Sequence, residues 1–298
     1  MKEVKSSTRL YVIVARYAPI GVIFRRGPSK QVLLIKWNME DDSFEMGQWI
    51  KARIYERRCD LSPDGEFLLY FAANWKMPYW SWSAISRPPY FSALALWPKG
   101  DGWGGGGQFL RRSSILLNHR ENEMILAENF SIPKWMSVGK FGDRPGWGED
   151  DPVWFARLQR DGWQLVKTPE KTKNDWGAKI KFEYDPPFVW QKPHPRRSEN
   201  YTLQMSILGI HETDGPWYLI EHTVMGNKGY IGAIGRSEWA DWSPNGDLLF
   251  SQSGRLYRLS YENDEFGPIE ASQQIADFSG LEFHQCKSPE EARQWPSK

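Results

Sequence analysis

The sequence predicts an all-β fold, and three observations carry that reading. The chain holds 17 Trp, 12 Tyr and 15 Phe, side chains that favour pleated, half-buried surfaces. Its 26 Gly and 20 Pro cut it into short segments, which suits many short strands better than helices. A proline–glycine turn with matching surroundings occurs twice, its prolines 181 residues apart.

The two copies are CDLSPDGEFLLYFAA, from Cys59 to Ala73, and ADWSPNGDLLFS, from Ala240 to Ser251. Their chemistry pre-sets a type I turn. Ser62 accepts a backbone N–H, Pro63 fixes φ, Asp64 tolerates the bridge region and Gly65 takes the left-handed conformation. Ser243, Pro244, Asn245 and Gly246 repeat each choice. Asp60 and Asp241 precede the turns, and the acids Glu66 and Asp247 and the leucines Leu68 and Leu249 complete the match. A turn ending in left-handed Gly joins antiparallel strands through a bulge. The runs Phe67–Phe71 and Leu248–Phe250 do not alternate, so both strands are expected to be buried on both faces.

This stretch resembles the repeat of TolB-like and WD40-like β-propellers, in which the turn joins the first two strands of a blade. The resemblance covers the two short segments. It implies a β-propeller of divergent blades and brings no catalytic residue with it. At about 40–45 residues per blade the two turns stand roughly four blades apart. The chain of 298 residues then holds six blades, or five if its long loops are insertions. The expected layout is one propeller domain over 1–287 and a short C-terminal helix over 288–298, with Ser288 as N-cap, Pro289 in the first helical position and Glu291 completing a capping box.

Along the chain, Leu10–Arg16 reads as a strand and is the candidate to close the ring against the last blade, which would otherwise leave open edges. Gly21–Phe24 and Gln31–Trp37 form a hairpin around a loop with Gly27-Pro28, and Trp49–Tyr55 leads into the first repeat. Tyr90–Trp97 is a further strand. Ser113–Asn118 with Met124–Ala127, and Val153–Leu158 with Trp163–Lys167, read as hairpins. Lys179–Tyr184, Phe188–Trp190, Tyr201–Ile210, Trp217–Val224, Tyr230–Ile234 and Leu256–Tyr261 continue the strand pattern. A looser recurrence, Asp101-Gly102-Trp103-Gly104, Pro145-Gly146-Trp147-Gly148 and Asn174-Asp175-Trp176-Gly177, precedes a strand each time.

The segment 75–107 is rich in rings. Trp97 ends a strand and reads as core, whereas Trp75, Tyr79, Trp80 and Trp82 sit among Pro, Lys and Ser and read as loop residues. Contiguous exposed aromatics mark binding patches, so the candidate contact residues are Trp75, Tyr79, Trp80, Trp82, Arg87, Tyr90 and Trp103.

Signals for chemistry are weak. Gly102, Gly104 and Gly107 match a dinucleotide fingerprint literally, but residues 108–114 show no helical period to supply the pyrophosphate-binding N-terminus. The histidines 119, 194, 211, 222 and 284 lack metal-ligand spacing, although His211-Glu212 and Glu221-His222 could meet across a hairpin. No G-x-S-x-G elbow is present. Asp143, Glu149, Asp150 and Asp151 read as a solvated loop. Cys59 reads as a small apolar core residue, and the two cysteines are expected to be reduced.

The net charge of +1 with mixed signs favours no nucleic acid. The polar start Met1–Thr8 and the lack of a long apolar run lead to the expectation of a cytoplasmic protein away from membranes. That argues against a TolB role, since the TolB family is exported with a signal peptide. The expected function is a non-catalytic, scaffold-type interaction module, a monomer without cofactor or metal that binds another protein through its aromatic loop face. The alternatives are a propeller that binds carbohydrate or another small ligand, and a hydrolase or lyase with its site at the central channel.

Overall fold

The computed structural model describes residues 8–27, 30–226, 229–262 and 265–296; the polar start Met1–Ser7 and Pro28 of the first hairpin loop lie outside them. The chain is mostly strand, and two compact units divide it. One comprises 8–10 with Leu158–Ser279, the other Tyr11–Arg157 with 280–296. Among the described residues, no helix is long and apolar enough to cross a membrane.

Most sheets are antiparallel meanders that follow the chain. The first has β1 (Arg9–Val14), β2 (Ile20–Arg26), β3 (Gln31–Asn38) and β4 (Ser43–Lys51) in that order. The second has β5 (Arg53–Ile54), β6 (Asp60–Leu61), β7 (Leu68–Ala73), β8 (Ser81–Ser86) and β9 (Ala93–Pro98), with β5 and β6 both on β7. The third has β10 (Gly107–Arg111), β11 (Ser114–Leu117) and β12 (Ser137–Lys140), the last pair parallel. A helix, α1 (Asp151–Arg160), follows.

In the other unit, β13 (Gln164–Lys167) and β14 (Lys171–Asn174) share the long β15 (Ile180–Pro193), followed by β16 (Tyr201–Glu212), β17 (Tyr218–Gly226) and β18 (Gly229–Arg236). The last large sheet has β19 (Trp239–Trp242), β20 (Leu248–Gln252), β21 (Arg255–Leu259) and β24 (Gln273–Asp277), with a small β22 (Tyr261–Glu262) and β23 (Glu265–Phe266) pair interposed in sequence.

The repeated turn folds as its chemistry requires. Gly65 and Gly246 donate to the carbonyls of Ser62 and Ser243 at 2.9 Å, closing both turns. Each serine hydroxyl accepts a backbone N–H, from Phe67 at 2.9 Å and from Asp247 at 3.0 Å. Both glycines have positive φ, +76° and +92°. Every side chain of β7 is buried, as are Leu248 to Ser251 of β20. The copies nevertheless differ in register. Asp60 faces Leu69 whereas Asp241 faces Leu249, because Ser62 bonds back from Phe67 but Ser243 from Asp247, one residue sooner. Leu68 and Leu249 match in sequence and not in pairing.

Several expectations need correction. Val153–Leu158 is helix, not strand. Pro152 occupies the first turn, where a missing N–H costs nothing, and Val153, Trp154, Arg157 and Leu158 bury one helical face. Met124–Ala127 is not a strand; β11 pairs with β10 and β12 instead. Lys179–Tyr184 and Phe188–Trp190 merge into β15, with the register shifting between Glu183 and Phe188. The C-terminal helix reduces to a single 3-10 turn, Glu290–Arg293, flanked by Pro289 and without a side-chain cap. The two repeat turns stand three sheets apart rather than four, because β15 and β16 are long and residues 118–163 carry loops and a helix.

Within the larger unit, Phe67, Leu69, Ile85, Trp97, Phe109 and Ile115 belong to one buried cluster. The C-terminal segment docks on it: Trp295 packs 5.5 Å from Phe67 and its indole N–H bonds to Ser131. A methyl group at Gly65 would meet the Ile20 side chain at 2.8 Å with φ at +76°. We expect Gly65→Ala to cost about 1–3 kcal/mol in urea unfolding, while Asp64→Asn, which copies the second repeat, stays within about 1 kcal/mol.

Candidate functional site

The site begins with Arg58, which follows β5 in a short 3-10 turn and is 2% exposed. Its Nε donates to Asp150 at 2.5 Å, and its Nη1 donates to the carbonyls of Gly102 and Gly104 at 2.7 and 2.6 Å. The guanidinium lies 4.5 Å from the Tyr55 ring and 5.4 Å from Phe71. The planar fork of arginine can satisfy a carboxylate and two carbonyls at once, which a lysine cannot. Trp103 stands between the two gripped carbonyls, and Asp150 follows the loop that carries Trp147. One cation therefore positions two loops.

The glycine run is shaped around this group. Gly104, Gly105 and Gly106 have φ between +65° and +80°, and a Cβ on Gly106 would sit 1.9 Å from the Arg58 carbonyl oxygen. Their N–H groups donate to Gly148 O, Asn118 O and Ser83 Oγ at 2.7 Å each. Donors spent inside the protein cannot cradle a phosphate, so the literal dinucleotide match has a structural meaning. The acidic loop is divided: Asp143, Glu149 and Asp151 are exposed, but Asp150 is buried against Arg58.

Four exposed tryptophans surround this loop system. Trp75 and Trp80 are 40% and 46% exposed, and Trp103 and Trp147 are 54% and 61% exposed. Trp75 and Trp80 have φ of +58° and +61°, a costly conformation for bulky residues. The loop 74–80 holds them there: Asn74 and Trp75 donate to Trp80 O, and Trp80 donates to Lys76 O at 2.8 Å. A Cβ on Gly102 would touch the Trp75 ring at 3.4 Å, which places Trp75 beside the Trp103 loop. The Trp103 and Trp147 loops lie side by side through the Gly104–Gly148 hydrogen bond.

An ion cluster underlies these rings. Lys99 Nζ donates to Asp101 at 2.7 Å and Glu123 at 3.0 Å. Arg120 approaches the same carboxylates at 3.8 and 3.5 Å and lies 5.3 Å from the Trp147 ring. Burial alone would raise Asp101, but the Lys99 hydrogen bond and the Trp103 N–H hold it below the ordinary carboxylate value. Below lies His119, buried, with Nε2 on Ser83 Oγ at 2.8 Å and Nδ1 on Glu123 O at 3.1 Å. Because a carbonyl only accepts, Nδ1 carries the proton, and Ser83 donates to Nε2. Burial, with Lys99 nearby, lowers His119 from 6.5 to about 4.

Of the residues singled out from sequence, Trp75, Tyr79, Trp80 and Trp103 belong to this region. Trp82 does not lie in a loop; it is a half-buried residue of β8, opposite Ala72 and Pro98. Arg87 is engaged elsewhere, on Glu291 O and Glu66, and Tyr90 lies near Glu45. Tyr90 also precedes the strand, which starts at Ala93, while Trp97 is buried as expected. Sequence reasoning missed Trp147, Lys99, Arg120 and Glu123. Trp147 carried a signal, the Gly-Trp-Gly shared with Trp103, although it precedes α1 rather than a strand. The third copy, at Trp176, lies in the β14–β15 turn of the other unit.

The remaining groups are structural. His222 faces Met205 across its hairpin and Glu221 faces Ser206, so neither is cross-strand partner to His211 or Glu212; Glu221 and Glu212 instead share the Arg236 guanidinium at 3.4 and 3.8 Å. His194 donates through Nε2 to Gly246 O at 2.8 Å, among Tyr201, Trp242, Tyr261 and Phe266. Cys59 and Cys286 are free thiols; Cys59 is buried, which pushes its thiol far up. Among the described residues no group of three His, Cys, Asp or Glu is placed to hold a metal ion.

No protein-family model matches the chain, and no curated protein matches it in sequence. Solved structures similar to it include an uncharacterized protein from Listeria monocytogenes, 9% identical over 91% of this chain and 84% of that one, with a TM-score of 0.30. Another is a Bacteroides fragilis protein provisionally described as a 6-phosphogluconolactonase, 10% identical over 92% of this chain and 97% of that one, with a TM-score of 0.33. Scores of that size leave fold and function to be argued from the chain itself.

Two measurements check this arrangement. Arg58→Met leaves Asp150 buried without its cation, and we expect a loss of about 3–5 kcal/mol in urea unfolding, against less than about 1 kcal/mol for the exposed Arg144→Met. His119 is protonated near 6.5 when unfolded and only near 4 when folded. Its contribution is therefore fully present above pH 6.5 and is lost as the pH falls to about 4, roughly 3 kcal/mol in all. His119→Gln is expected to flatten the stability profile between pH 6.5 and 4.

Proposed function

We propose that the chain is a non-catalytic binding module, a divergent β-propeller that holds a partner protein on the face bearing Trp75, Trp103 and Trp147. The observation that carries the reading is the pair of exposed tryptophans fixed on adjoining loops by one buried arginine, with the Arg120 guanidinium over one ring. Rigid, partly desolvated Trp and Arg side chains are the usual anchors of protein interfaces, and they bind at little entropic cost when held in advance. The left-handed backbone at Trp75 and Trp80 supports the same reading, since strain of this kind persists where function keeps it.

The propeller reading is supported by five successive sheets of three or more strands among the described residues, which favours five blades over six. It is also supported by the start of the chain: Thr8 bonds to Ser279 O and Leu10 O accepts from Ser251, as a closing segment would. We place all blades in one domain over 1–287 and take the protein to be a cytoplasmic monomer. A hydrolase reading would rest on Ser83 and His119, which are paired but wholly buried, so binding is preferred.

The double variant Trp103→Ala/Trp147→Ala is expected to melt within about 2–4 °C of the parent, as exposed substitutions do. It is also expected to lose the proteins that the parent captures from its host's extract, read by mass spectrometry. Unchanged capture at unchanged melting temperature would sink this reading.

A further inference from the structure

Beside the tryptophan face lies a concavity of about 320 Å³, lined among others by Tyr79, Trp80, Pro98, Lys99, Asn122 and Glu123. Three features define what it can hold. First, its ionic groups balance. Lys99 and Arg120 face Asp101 and Glu123 in one network, so the site has no net charge to attract a phosphate, a carboxylate or an ammonium ligand. Second, it offers an aromatic wall. Trp80 is half exposed and its backbone is fixed by the loop 74–80, so the ring is presented rather than buried. Third, it offers uncommitted polar groups of both kinds. The Tyr79 hydroxyl and the Asn122 amide make no hydrogen bond to the protein among the described residues, whereas the buried Lys99 ammonium is spent on Asp101 and Glu123.

A neutral ligand with an apolar face and a rim of hydroxyls meets all three conditions. Each hydroxyl both donates and accepts, which is what a tyrosine and an amide offer side by side. The C–H face of a pyranose ring covers an indole, and the volume lies at the lower end of ordinary ligand pockets, suited to a small ligand. We infer that this cleft is a saccharide subsite that takes one ring of a neutral oligosaccharide, stacked on Trp80 and hydrogen-bonded at Glu123, Asn122 and Tyr79. The inference goes beyond the partner reading and does not depend on it, because the cleft residues differ from Trp103 and Trp147.

The test uses the full chain against an immobilised panel of neutral oligosaccharides built from glucose, mannose, galactose, xylose and N-acetylglucosamine. Binding is followed up in solution by tryptophan fluorescence. The parent is expected to bind at least one member, with quenching that saturates. Trp80→Asn keeps a residue tolerant of the left-handed backbone and is expected to weaken that binding at least tenfold. Glu123→Gln is expected to weaken it similarly. Asn122→Ala, an exposed position outside the ion cluster, is expected to weaken it severalfold without moving the melting temperature, which keeps the test open if Glu123→Gln is unstable. Trp103→Ala/Trp147→Ala is expected to bind the saccharide as the parent does, whether or not it captures a protein. No retention on the panel would overturn the inference. So would retention unaffected by both Trp80→Asn and Asn122→Ala, or binding only of sugar phosphates or of proline-rich peptides offered in parallel.

Discussion

A single buried guanidinium holds the candidate face together. Arg58 gives up water on every side, and what replaces it is one carboxylate, two carbonyls and two aromatic rings. An unpaired charge at that depth costs several kcal/mol, so the chain has to deliver the partners. It does so by bending. From 104 to 107 the main chain runs so close to Gly146, the Phe71 ring, the Arg58 carbonyl and the Leu116 carbonyl that a Cβ would meet them at 2.6, 2.3, 1.9 and 1.9 Å, and glycine occupies each of these positions. The exposed tryptophans therefore depend on a group that no solvent reaches.

The surface and its foundation use opposite physics. Above, the rings of Trp75, Trp80, Trp103 and Trp147 are left in water, where burying them against another molecule would be favourable. Below, charges are neutralised within the protein, and His119 is kept uncharged with its tautomer set by a carbonyl and a serine. Such a foundation stays fixed when something settles on the rings, because each polar group already has its partner.

Turn chemistry could be read from the sequence because it is local. Ser, Pro, Asp or Asn, and Gly each act on their own backbone, and both copies fold accordingly. The continuous burial of β7 and β20 was readable for the same reason: non-alternating apolar runs have no polar face to expose. The one-residue difference in register was hidden, since it depends on which N–H reaches back to the serine. Residues 153–158 misled because VWFARL suits a strand by composition, while Asp151-Pro152 ahead of it already spelled a helix start. At the site, aromatics stood out in the sequence by their number. The charges did not: Lys99, Arg120 and Glu123 look like ordinary surface residues until the fold brings them to one place. Asp150 looked solvated for the same reason.

The Arg58 contacts also bear on the order in which the molecule is made. They join residues 44, 46 and 92 positions apart along the chain. Contacts so distant form only after much of the backbone has been gathered, since closing long loops costs entropy before it yields interaction energy. Until residues 58, 102–104 and 150 have met, the chain thus displays no ordered tryptophan pair. The ordered pair forms late in the folding of this stretch, after its distant parts have been aligned.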